Sequence, residues 1–443
     1  MDQRPAPDDH IGRPTPMPRD TATAEADVQG PPRRLLRTVT TFESFRYRDF
    51  GYFFAGAALS NTGTWMQQVA LGWLVYELTR SSAALGVMNF LSGIPITVLI
   101  VLTGTLADRF DRRTLLIWSQ VILMAQAAAL GVLTQTGAID LAWIYSLTLL
   151  AGVVSAFMFP AWQAMVPDLV PRTSLLNAIA LSSAQFNAAR LAGPMLGAAV
   201  FAAFGVAEVF YANAASFLFV IWALVVIRPQ QERHPRDGES ARTMLVAGLR
   251  YARQHRRIYM NLLTAAAITV FGMPFLALLP IIAAETFGMG SAGYSTLMGL
   301  NGAGALIGAL AVASLPDRVR RDTIVRWGVT GMAAGVIALS LVRTDWIAGV
   351  IMVGMGAAFL ASVSSINTNL QVAAPPRIRG RIMSLFILAF MGMLPIGSLA
   401  FGALGEVIGV TTAVLIGGLA LLGLGLTLVA NPRLLCERPD EEC

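Results

Sequence analysis

Residues 104–116 read GTLADRFDRRTLL, a short charged stretch that separates two long apolar runs. The pattern returns 209 residues further along the chain, again between two apolar runs. The residues identical in the two copies are Leu106 and Leu315, Asp108 and Asp317, Arg109 and Arg318, Arg112 and Arg321, Thr114 and Thr323, and Trp118 and Trp327. Self-similarity over this distance indicates that the chain is built from two related halves.

The composition excludes a soluble protein. Of the 443 residues, 55% are hydrophobic and 13% are charged, and the mean hydropathy is +0.63. Soluble domains carry about 25% charged residues, whereas here the charges cluster between apolar runs of about twenty residues, the length that crosses a hydrocarbon core about 30 Å thick. The net charge of +6 reflects basic residues that flank these runs, so we expect a lipid bilayer and no nucleic acid as partner.

The apolar runs predict an all-α polytopic membrane protein with twelve transmembrane helices. The predicted spans are 50–77, 83–106, 113–134, 141–160, 176–203, 208–227, 258–284, 293–315, 322–342, 346–370, 382–403 and 410–430. Each half contains six spans, so both halves enter the membrane with the same orientation. This predicts two parallel six-helix repeats around a central cavity.

The arginines predict the orientation of the chain, because basic loops are retained in the cytoplasm. All 32 basic residues are Arg, and all but Arg80, Arg190 and Arg343 fall in segments that are cytoplasmic if both termini are cytoplasmic. An odd number of spans would break this agreement. We therefore expect a multi-pass protein of the cytoplasmic (inner) membrane with both termini in the cytoplasm.

Polar segments mark the boundaries of the two bundles. We expect a disordered cytoplasmic tail (1–40), a first six-helix bundle (41–227), a central cytoplasmic linker (228–257), a second six-helix bundle (258–430) and a cytoplasmic tail (431–443). Both cysteines lie in the last tail and the three histidines lie in polar segments. The sequence therefore predicts neither a metal site nor a cofactor.

Residues 104–116 resemble the loop motif G-x-L-a-D-R-x-G-R-R-x-x-L of the major facilitator superfamily of transporters. The resemblance implies the fold of that family and a charged cytoplasmic latch that closes one side of the transporter. The latch residues that it assigns are Gly104, Asp108, Arg109, Arg112 and Arg113. Asp168 is the only acid in the next cytoplasmic loop and is the expected partner of Arg112. Asp111 stands where the family usually has Gly.

The second copy of the motif keeps Asp317, Arg318 and Arg321, but Val372 stands at the position that corresponds to Asp168. We therefore expect a weaker latch in the second half. The alternative is that these charges only cap helices and fix the topology. The ordered spacing of Gly, Asp and Arg, repeated once, favours the latch.

The fifth predicted span contains Gly193, Pro194 and Gly197 at the spacing of a motif associated with exporters of this family, with Ala at three of its glycine positions. Small residues at these intervals let two helices approach closely, and a proline bends a helix. Ordinary helix packing explains the same residues, but the resemblance favours export over import. The family's arginine in span 4 is absent from the positions near Thr148.

Arg190 lies near the middle of the fifth span, where an ionised side chain is expected to face a cavity or a partner. Asn187 lies on the same helix face. Two hypotheses stay open: Arg190 binds an anionic or polar group of the substrate, or it bonds to buried carbonyl and amide groups and stabilises the packing. The other polar candidates for substrate binding are Asn61, Gln67, Gln68, Asn367 and Asn369.

Two acids are candidates for proton coupling. Glu77 and Glu285 lie toward the outer ends of spans 1 and 7, in near-equivalent positions of the repeat. If a proton gradient drives transport, either of them carries the proton.

Residues 73–79 (WLVYELT) and 167–172 (PDLVPR) resemble the branch of the superfamily that contains enterobactin exporters and macrolide efflux proteins. This resemblance implies secondary active export of a small amphipathic molecule of the drug or siderophore class, by alternating access. We expect a monomer. The alternatives are an importer of the same fold and a non-transporting membrane sensor or assembly factor. The spans contain no catalytic motif, so no enzyme is predicted.

Overall fold

The computed structural model describes residues 42–107, 111–227, 241–315 and 319–435. The predicted first tail, the latch residues Asp108, Arg109, Asp317 and Arg318, residues 228–240 of the linker and the end of the second tail lie outside the described residues. Within them the chain is almost entirely helical, which confirms the all-α prediction.

The first half contains six long helices, most of which begin and end within a few residues of the predicted spans. They are α1 (Arg48–Thr79), α2 (Ser82–Ala107), α3 (Arg112–Gln135), α4 (Leu141–Leu169), α5 (Leu175–Phe204) and α6 (Val206–Val226). Helix α4 extends nine residues past its predicted end because both Pro160 and Pro167 are accommodated inside it. Membrane helices tolerate proline because neighbouring groups satisfy the freed backbone carbonyl.

A short helix, α7 (Ala241–Gln254), precedes six long helical segments in the second half. These are α8 (Arg256–Thr286), α9 (Ser291–Ser314), α10 (Arg321–Leu341), α11 (Asp345–Ala373), α12 (Arg379–Ile408) and α13 (Val410–Ala430). Two π-turns, Ile268–Gly272 and Leu388–Gly392, interrupt α8 and α12 at equivalent places. Each precedes a proline, Pro274 or Pro395, which lacks a backbone donor and so breaks the regular ladder.

Within the described residues, ten helices are long enough and apolar enough to cross a membrane, namely all except α1, α5 and α7. Helices α1 and α5 have 32 and 30 residues, so they are long enough to span but are more polar. They contain Gln68 and Arg190, two of the predicted site residues. Because a polar membrane helix must turn its polar face away from lipid, these two helices are expected to border an internal path.

Glycines bring the backbones of neighbouring helices into contact inside each half. A Cβ atom on Gly304 of α9 would overlap the carbonyl oxygen of Val353, and a Cβ atom on Gly356 of α11 would overlap that of Asn301. In the first half, Gly63 of α1 packs in the same way against α6. Close approach through small residues is the usual means by which helices associate in lipid, where burial of apolar side chains drives little association.

Helix α7 lies in the segment that the sequence predicts as a linker. Its Gly248 faces Arg381 and Leu385 of α12, and its Ala252 is fully buried. The start of the second predicted tail is also packed, since Leu435 is fully buried in the core of the second half. The end of the predicted linker and the start of the predicted second tail therefore pack as parts of the second bundle.

Replacement of Gly356 by Ala is expected to lower the stability of the second half, because the added methyl group has no room between α11 and α9. Overpacking of this kind costs about 1–3 kcal/mol. Thermal unfolding of the detergent-solubilised protein measures the effect. Gly354→Ala is the matched control, since a Cβ atom on this residue of the same helix meets open space. Equal unfolding temperatures for the two variants would contradict the close approach of α9 and α11.

Candidate functional site

The two ends of the helix bundle are named here by a residue that lies at each. The Asp168 end is the end at which α4 finishes and α3 begins. The Glu406 end is the opposite one, at which α2 begins and α12 finishes.

At the Glu406 end, a carboxylate of the second half caps a helix of the first half. Glu406 accepts hydrogen bonds from the Ser81 hydroxyl (2.8 Å) and from the backbone N–H of Ala83 (3.1 Å). The Ser82 hydroxyl donates to the carbonyl oxygen of Gly402 (2.9 Å). A carboxylate is favourable at this position because the first N–H groups of α2 have no partner within the helix and the helix dipole is positive there.

From this cap toward the Asp168 end, the backbones of α2 and α12 stay in contact. A Cβ atom on Gly402 would lie 2.7 Å from the Cα atom of Gly86. Further along, the Thr97 hydroxyl lies 3.3 Å from the carbonyl oxygen of Gly392 and donates to it. The contact therefore runs from the Glu406 end past the middle of α2.

Helices α5 and α9 form the second contact between the halves. A Cβ atom on Gly302 would lie 3.1 Å from the Cα atom of Leu191. Nearer the Glu406 end, the rings of Trp73 in α1 and Tyr294 in α9 stack with their centroids 6.0 Å apart. The halves are thus joined on both sides of the bundle axis between the Glu406 end and the level of Arg190.

Toward the Asp168 end, α5 separates from the second half. Ala180, Ala184, Asn187 and Leu191 share one face of this helix. Leu191 packs against Gly302, whereas Ala180 and Ala184 are exposed and Asn187 is half-buried. The stretch of this face from Ala180 to Asn187, which we call the groove, ends near Arg190, where Leu191 meets Gly302.

Arg190 lies at this end of the groove and touches both halves. Its Nη2 atom donates to Oδ1 of Asn301 in α9 at 3.3 Å. Its Cζ atom lies 5.7 Å from the ring centre of Trp65 in α1 and 5.6 Å from that of Phe359 in α11. The ion pairs found among the described residues do not include Arg190.

Further aromatic rings extend the wall beside Arg190. Phe186, one turn from Arg190 on α5, packs edge-on against Trp65 with the centroids 6.1 Å apart and is 48% exposed. In the second half, the half-buried ring of Phe390 stacks on Phe359 at 6.0 Å. The site thus combines one charged group with rings from both halves.

The two predicted glutamines of α1 have different surroundings. Gln68 is exposed, on the same helix face as Trp65 and Gly72, and Gly72 lies against Tyr294 of the second half. Gln67 points into the first half instead, where its amide bonds to Gln126 at 3.2 Å and to Asn213 at 2.8 Å. The structure therefore favours Gln68 as a residue that is accessible to a substrate, and Gln67 as a residue that stabilises the packing of the first half.

Two predicted asparagines close to the groove use their amide donors within the first half. Asn61 donates to Oε1 of Gln185 in α5 at 3.3 Å. Asn187 donates to the carbonyl oxygen of Ser183 at 2.8 Å. Both are half-buried, so part of each side chain stays accessible.

The predicted asparagines of α11 do not contact Arg190. Asn369 is 3% exposed and donates to Oδ1 of Asp322 at 2.8 Å inside the second half. Asn367 is half-buried and accepts a hydrogen bond from Gln371 one turn further along. The burial of Asn369 favours a structural role over contact with a substrate.

Arg112 and Asp168, the pair predicted from the loop motif, are 2.8 Å apart in the structure. Arg113 donates to the backbone carbonyls of Leu224 and Val225 at the end of α6. These contacts tie α3 to α4 and α6 and stay within the first half. Their role as a latch stays a prediction, because Asp108 and Arg109 lie outside the described residues.

In the second copy of the motif, Arg321 donates to the carbonyl oxygen of Val312 at 3.2 Å, and Val372 is 71% exposed. Asp322, which is not among the predicted site residues, is buried in this region. It lies 3.8 Å from Arg257 and 3.6 Å from Arg320. In the second half, Asp322 thus supplies the carboxylate that binds arginines. Val372, which stands at the position that corresponds to Asp168, has no carboxylate.

The predicted packing motif of α5 places this helix against α1. A Cβ atom on Gly193 would lie 2.9 Å from the carbonyl oxygen of Thr62, and one on Gly197 would lie 3.2 Å from the Cα atom of Met66. Pro194 is buried between them. Because Trp65 lies between Thr62 and Met66, this close contact holds its ring beside Arg190.

Both acids predicted for proton coupling are exposed near the Glu406 end. Glu77 accepts a hydrogen bond from the indole N–H of Trp73 at 2.6 Å. Glu285 lies in the π-turn Ile282–Thr286 of α8. The structure therefore places one of them, Glu77, in contact with an aromatic residue of the interface between the halves.

Twelve long helices in the described part of the chain, with α2 packed on α12 and α5 packed on α9 across the two halves, define a membrane transporter of the major facilitator fold. The chain matches the family described as transmembrane secretion effector over residues 39–439. It belongs to this family of the major facilitator superfamily, and it is a transporter rather than an enzyme.

Three similar proteins each match most of the length of this chain. The staphyloferrin A transporter of Staphylococcus aureus is 25% identical over 372 residues, which are 83% of this chain and 92% of that protein. The enterobactin exporter EntS of Salmonella typhimurium is 27% identical over 365 residues (82% and 86%). The multidrug efflux pump Tap of Mycolicibacterium fortuitum is 24% identical over 388 residues (85% and 94%).

Solved structures support the fold. A transporter of the POT family in complex with 5-aminolevulinic acid superposes with a TM-score of 0.70 at 15% identity and covers 87% of this chain and 96% of its own. The nucleoside transporter NupG superposes with a TM-score of 0.67 at 14% identity (86% and 98%).

Replacement of Glu406 by Gln is expected to loosen the contact at the Glu406 end, because a neutral amide accepts weaker hydrogen bonds from Ser81 and Ala83. In a background without Cys436 and Cys443, Ser295→Cys places a thiol at a 3% exposed position of α9, beside Trp73 and Gly197 of the first half. We expect its labelling by a membrane-impermeant maleimide to accelerate about fivefold. The control is Glu208→Gln, an acid in the first turn of α6. Unchanged labelling in Glu406→Gln would show that the cap does not hold the halves together.

Proposed function

We propose that the protein exports a small amphipathic molecule of the drug or siderophore class by alternating access. The observation that carries this proposal is the position of Arg190 at the end of the groove, in contact with Trp65 of one half and with Asn301 and Phe359 of the other. A molecule that reaches Arg190 meets both halves, so its binding alters the contacts that join them. A ligand shifts a conformational equilibrium only through such differential contacts.

The similar proteins support export as the direction. EntS is named an exporter, Tap is named an efflux pump, and the macrolide efflux protein A of Streptococcus pyogenes is 23% identical over 375 residues. The small-residue motif at Gly193, Pro194 and Gly197 agrees with this direction. An importer of the same fold is the second candidate, and the non-transporting sensor or assembly factor loses support because the family consists of transporters.

We propose that the Asp168 end faces the cytoplasm, in agreement with the distribution of arginines along the chain. In this proposal the groove is the side from which a substrate enters from the cytoplasm, as an exporter requires for loading. We assign Asp108, Arg109 and their second-half counterparts Asp317 and Arg318 to contacts that form when this end closes. The pair of Arg112 and Asp168 holds α3 and α4 in place on either side of that loop.

We further propose that the export is coupled to protons and that a monomer is the transporting unit. Glu77 is the better candidate for carrying the proton, because it bonds to Trp73, whose ring stacks on Tyr294 across the interface. Glu285 is the alternative.

Everted membrane vesicles test the direction. Vesicles that contain the protein are expected to accumulate a fluorescent amphipathic dye or an iron-free siderophore, whereas intact cells accumulate less of it than cells without the protein. Accumulation by intact cells and not by everted vesicles would establish import. No movement in either preparation would contradict a transporter of these compounds.

Arg190→Ala is expected to lower the transport rate in everted vesicles by about tenfold or more, because a charged hydrogen-bond donor at the site is lost. Arg343→Ala is the matched control, since Arg343 lies between α10 and α11 and donates to the nearby carbonyl oxygens of Ser340 and Val342. Equal amounts of inserted protein must be compared. Full transport by an inserted Arg190→Ala protein would eliminate the substrate role of this residue.

Glu77→Gln is expected to remove the acceleration of export by an inward proton gradient, because the amide cannot carry a proton. The rate is measured in proteoliposomes at several imposed pH differences, with Glu285→Gln tested in parallel and Glu208→Gln as the control. If neither Glu77→Gln nor Glu285→Gln changes the pH dependence, both assignments fail.

A further inference from the structure

We infer that the groove takes an anion that carries an aromatic ring, with the anionic group on Arg190 and the ring among Trp65, Phe186 and Phe390. This inference rests on the proposed function in treating the groove as the substrate site, and it adds the chemical class of the substrate.

The charge at the site favours an anion. Helices α5 and α9 contain no acid, and the acids of α1 and α11 lie near the ends of these helices, at Asp49, Glu77 and Asp345. Arg190 therefore has no carboxylate beside it on the helices that surround it. A guanidinium in a poorly hydrated region attracts a ligand anion more strongly than it does in water.

An anion can compete with Asn301 for the hydrogen bond that Arg190 donates. The Nδ2 atom of Asn301 donates to the carbonyl oxygen of Met352 at 3.2 Å, which turns its Oδ1 atom toward Arg190. The hydrogen bond from Arg190 to this amide is 3.3 Å long and neutral on the acceptor side. A carboxylate, phenolate or similar group makes a stronger, charge-assisted bond and displaces it.

The rings at the site favour an aromatic body next to the anionic group. Phe186 is 48% exposed and Phe390 is half-buried, so ring surface from both halves borders the groove. Aromatic rings attract one another in stacked and edge-on arrangements beyond the effect of burial alone. The exposed amide of Gln68 adds a neutral polar group that suits hydroxyl substituents on the ligand.

The experiment uses the purified full-length protein in nanodiscs and three probes that vary one property at a time. The probes are 1-naphthoate, an aromatic anion, 1-naphthylmethylammonium, an aromatic cation, and cyclohexanecarboxylate, an anion without a ring. Equilibrium binding is measured by calorimetry, with empty nanodiscs as the baseline for partition into lipid. We expect 1-naphthoate to bind about tenfold more tightly than either of the other two.

Three variants test which residues cause the preference for 1-naphthoate. Arg190→Gln is expected to abolish the preference for 1-naphthoate over the naphthyl cation. Phe186→Leu is expected to reduce the preference for 1-naphthoate over cyclohexanecarboxylate and to leave the charge preference intact. Arg343→Gln removes a charge elsewhere and is expected to change neither. If Arg190→Gln is unstable, Arg190→Lys serves instead and is expected to keep the preference for an anion.

The results separate this inference from the proposed function. Equal binding of the three probes, or a charge preference that survives in folded Arg190→Gln, overturns the inference even if everted vesicles export a dye. Selective binding of 1-naphthoate that depends on Arg190 supports it. If that selectivity appears in a protein that moves no substrate through vesicles, the assigned ligand class stands and the proposed export is wrong.

Discussion

One half-buried guanidinium near the middle of a membrane helix constrains how the helices of this transporter are arranged. An ionised side chain near the middle of a bilayer costs several kcal/mol when it faces lipid, so α5 must turn Arg190 inward. There it meets Asn301 and the faces of Trp65 and Phe359, which come from three other helices. The rotation of α5 about its axis turns Arg190 away from lipid. The packing of α1 against Gly193 and Gly197 of α5 places Trp65 beside this arginine, and the second half meets α5 at the same level.

The bundle is built differently at its two ends. At the Glu406 end, α2 and α12 touch through glycine backbones, and one carboxylate completes the contact by capping α2. At the Asp168 end, arginines bind carboxylates and carbonyls within each half, as Arg112 and Arg113 do. The first set of contacts therefore joins the two halves, whereas the second set joins helices that belong to the same half.

Hydropathy predicts the twelve long helices of the described residues and most of their ends, since span length is a local property, but it misses the last nine residues of α4 and the whole of α7. The pair of Arg112 and Asp168 is also predictable, because a motif brings the two loops together. The roles of Gln67 and Gln68 are not predictable in the same way: they are neighbours in sequence, and only the packing of α1 on α5 and α6 decides which of them faces the second half. Glu406 escapes sequence reasoning because its partners are a serine and a backbone N–H of the other half, which form no recognisable pair.

The glycine contacts between α2 and α12 have a consequence for substrate recognition. The closest approach of these two helices is between glycines, and small polar side chains and Glu406 complete it, whereas the rings of Trp65 and Phe186 pack against each other in the first half. If the proposed site is correct, substitution of Phe186 or Trp65 changes which compounds bind and leaves the contact between α2 and α12 as it is. The fit between the halves and the choice of substrate then depend on different residues.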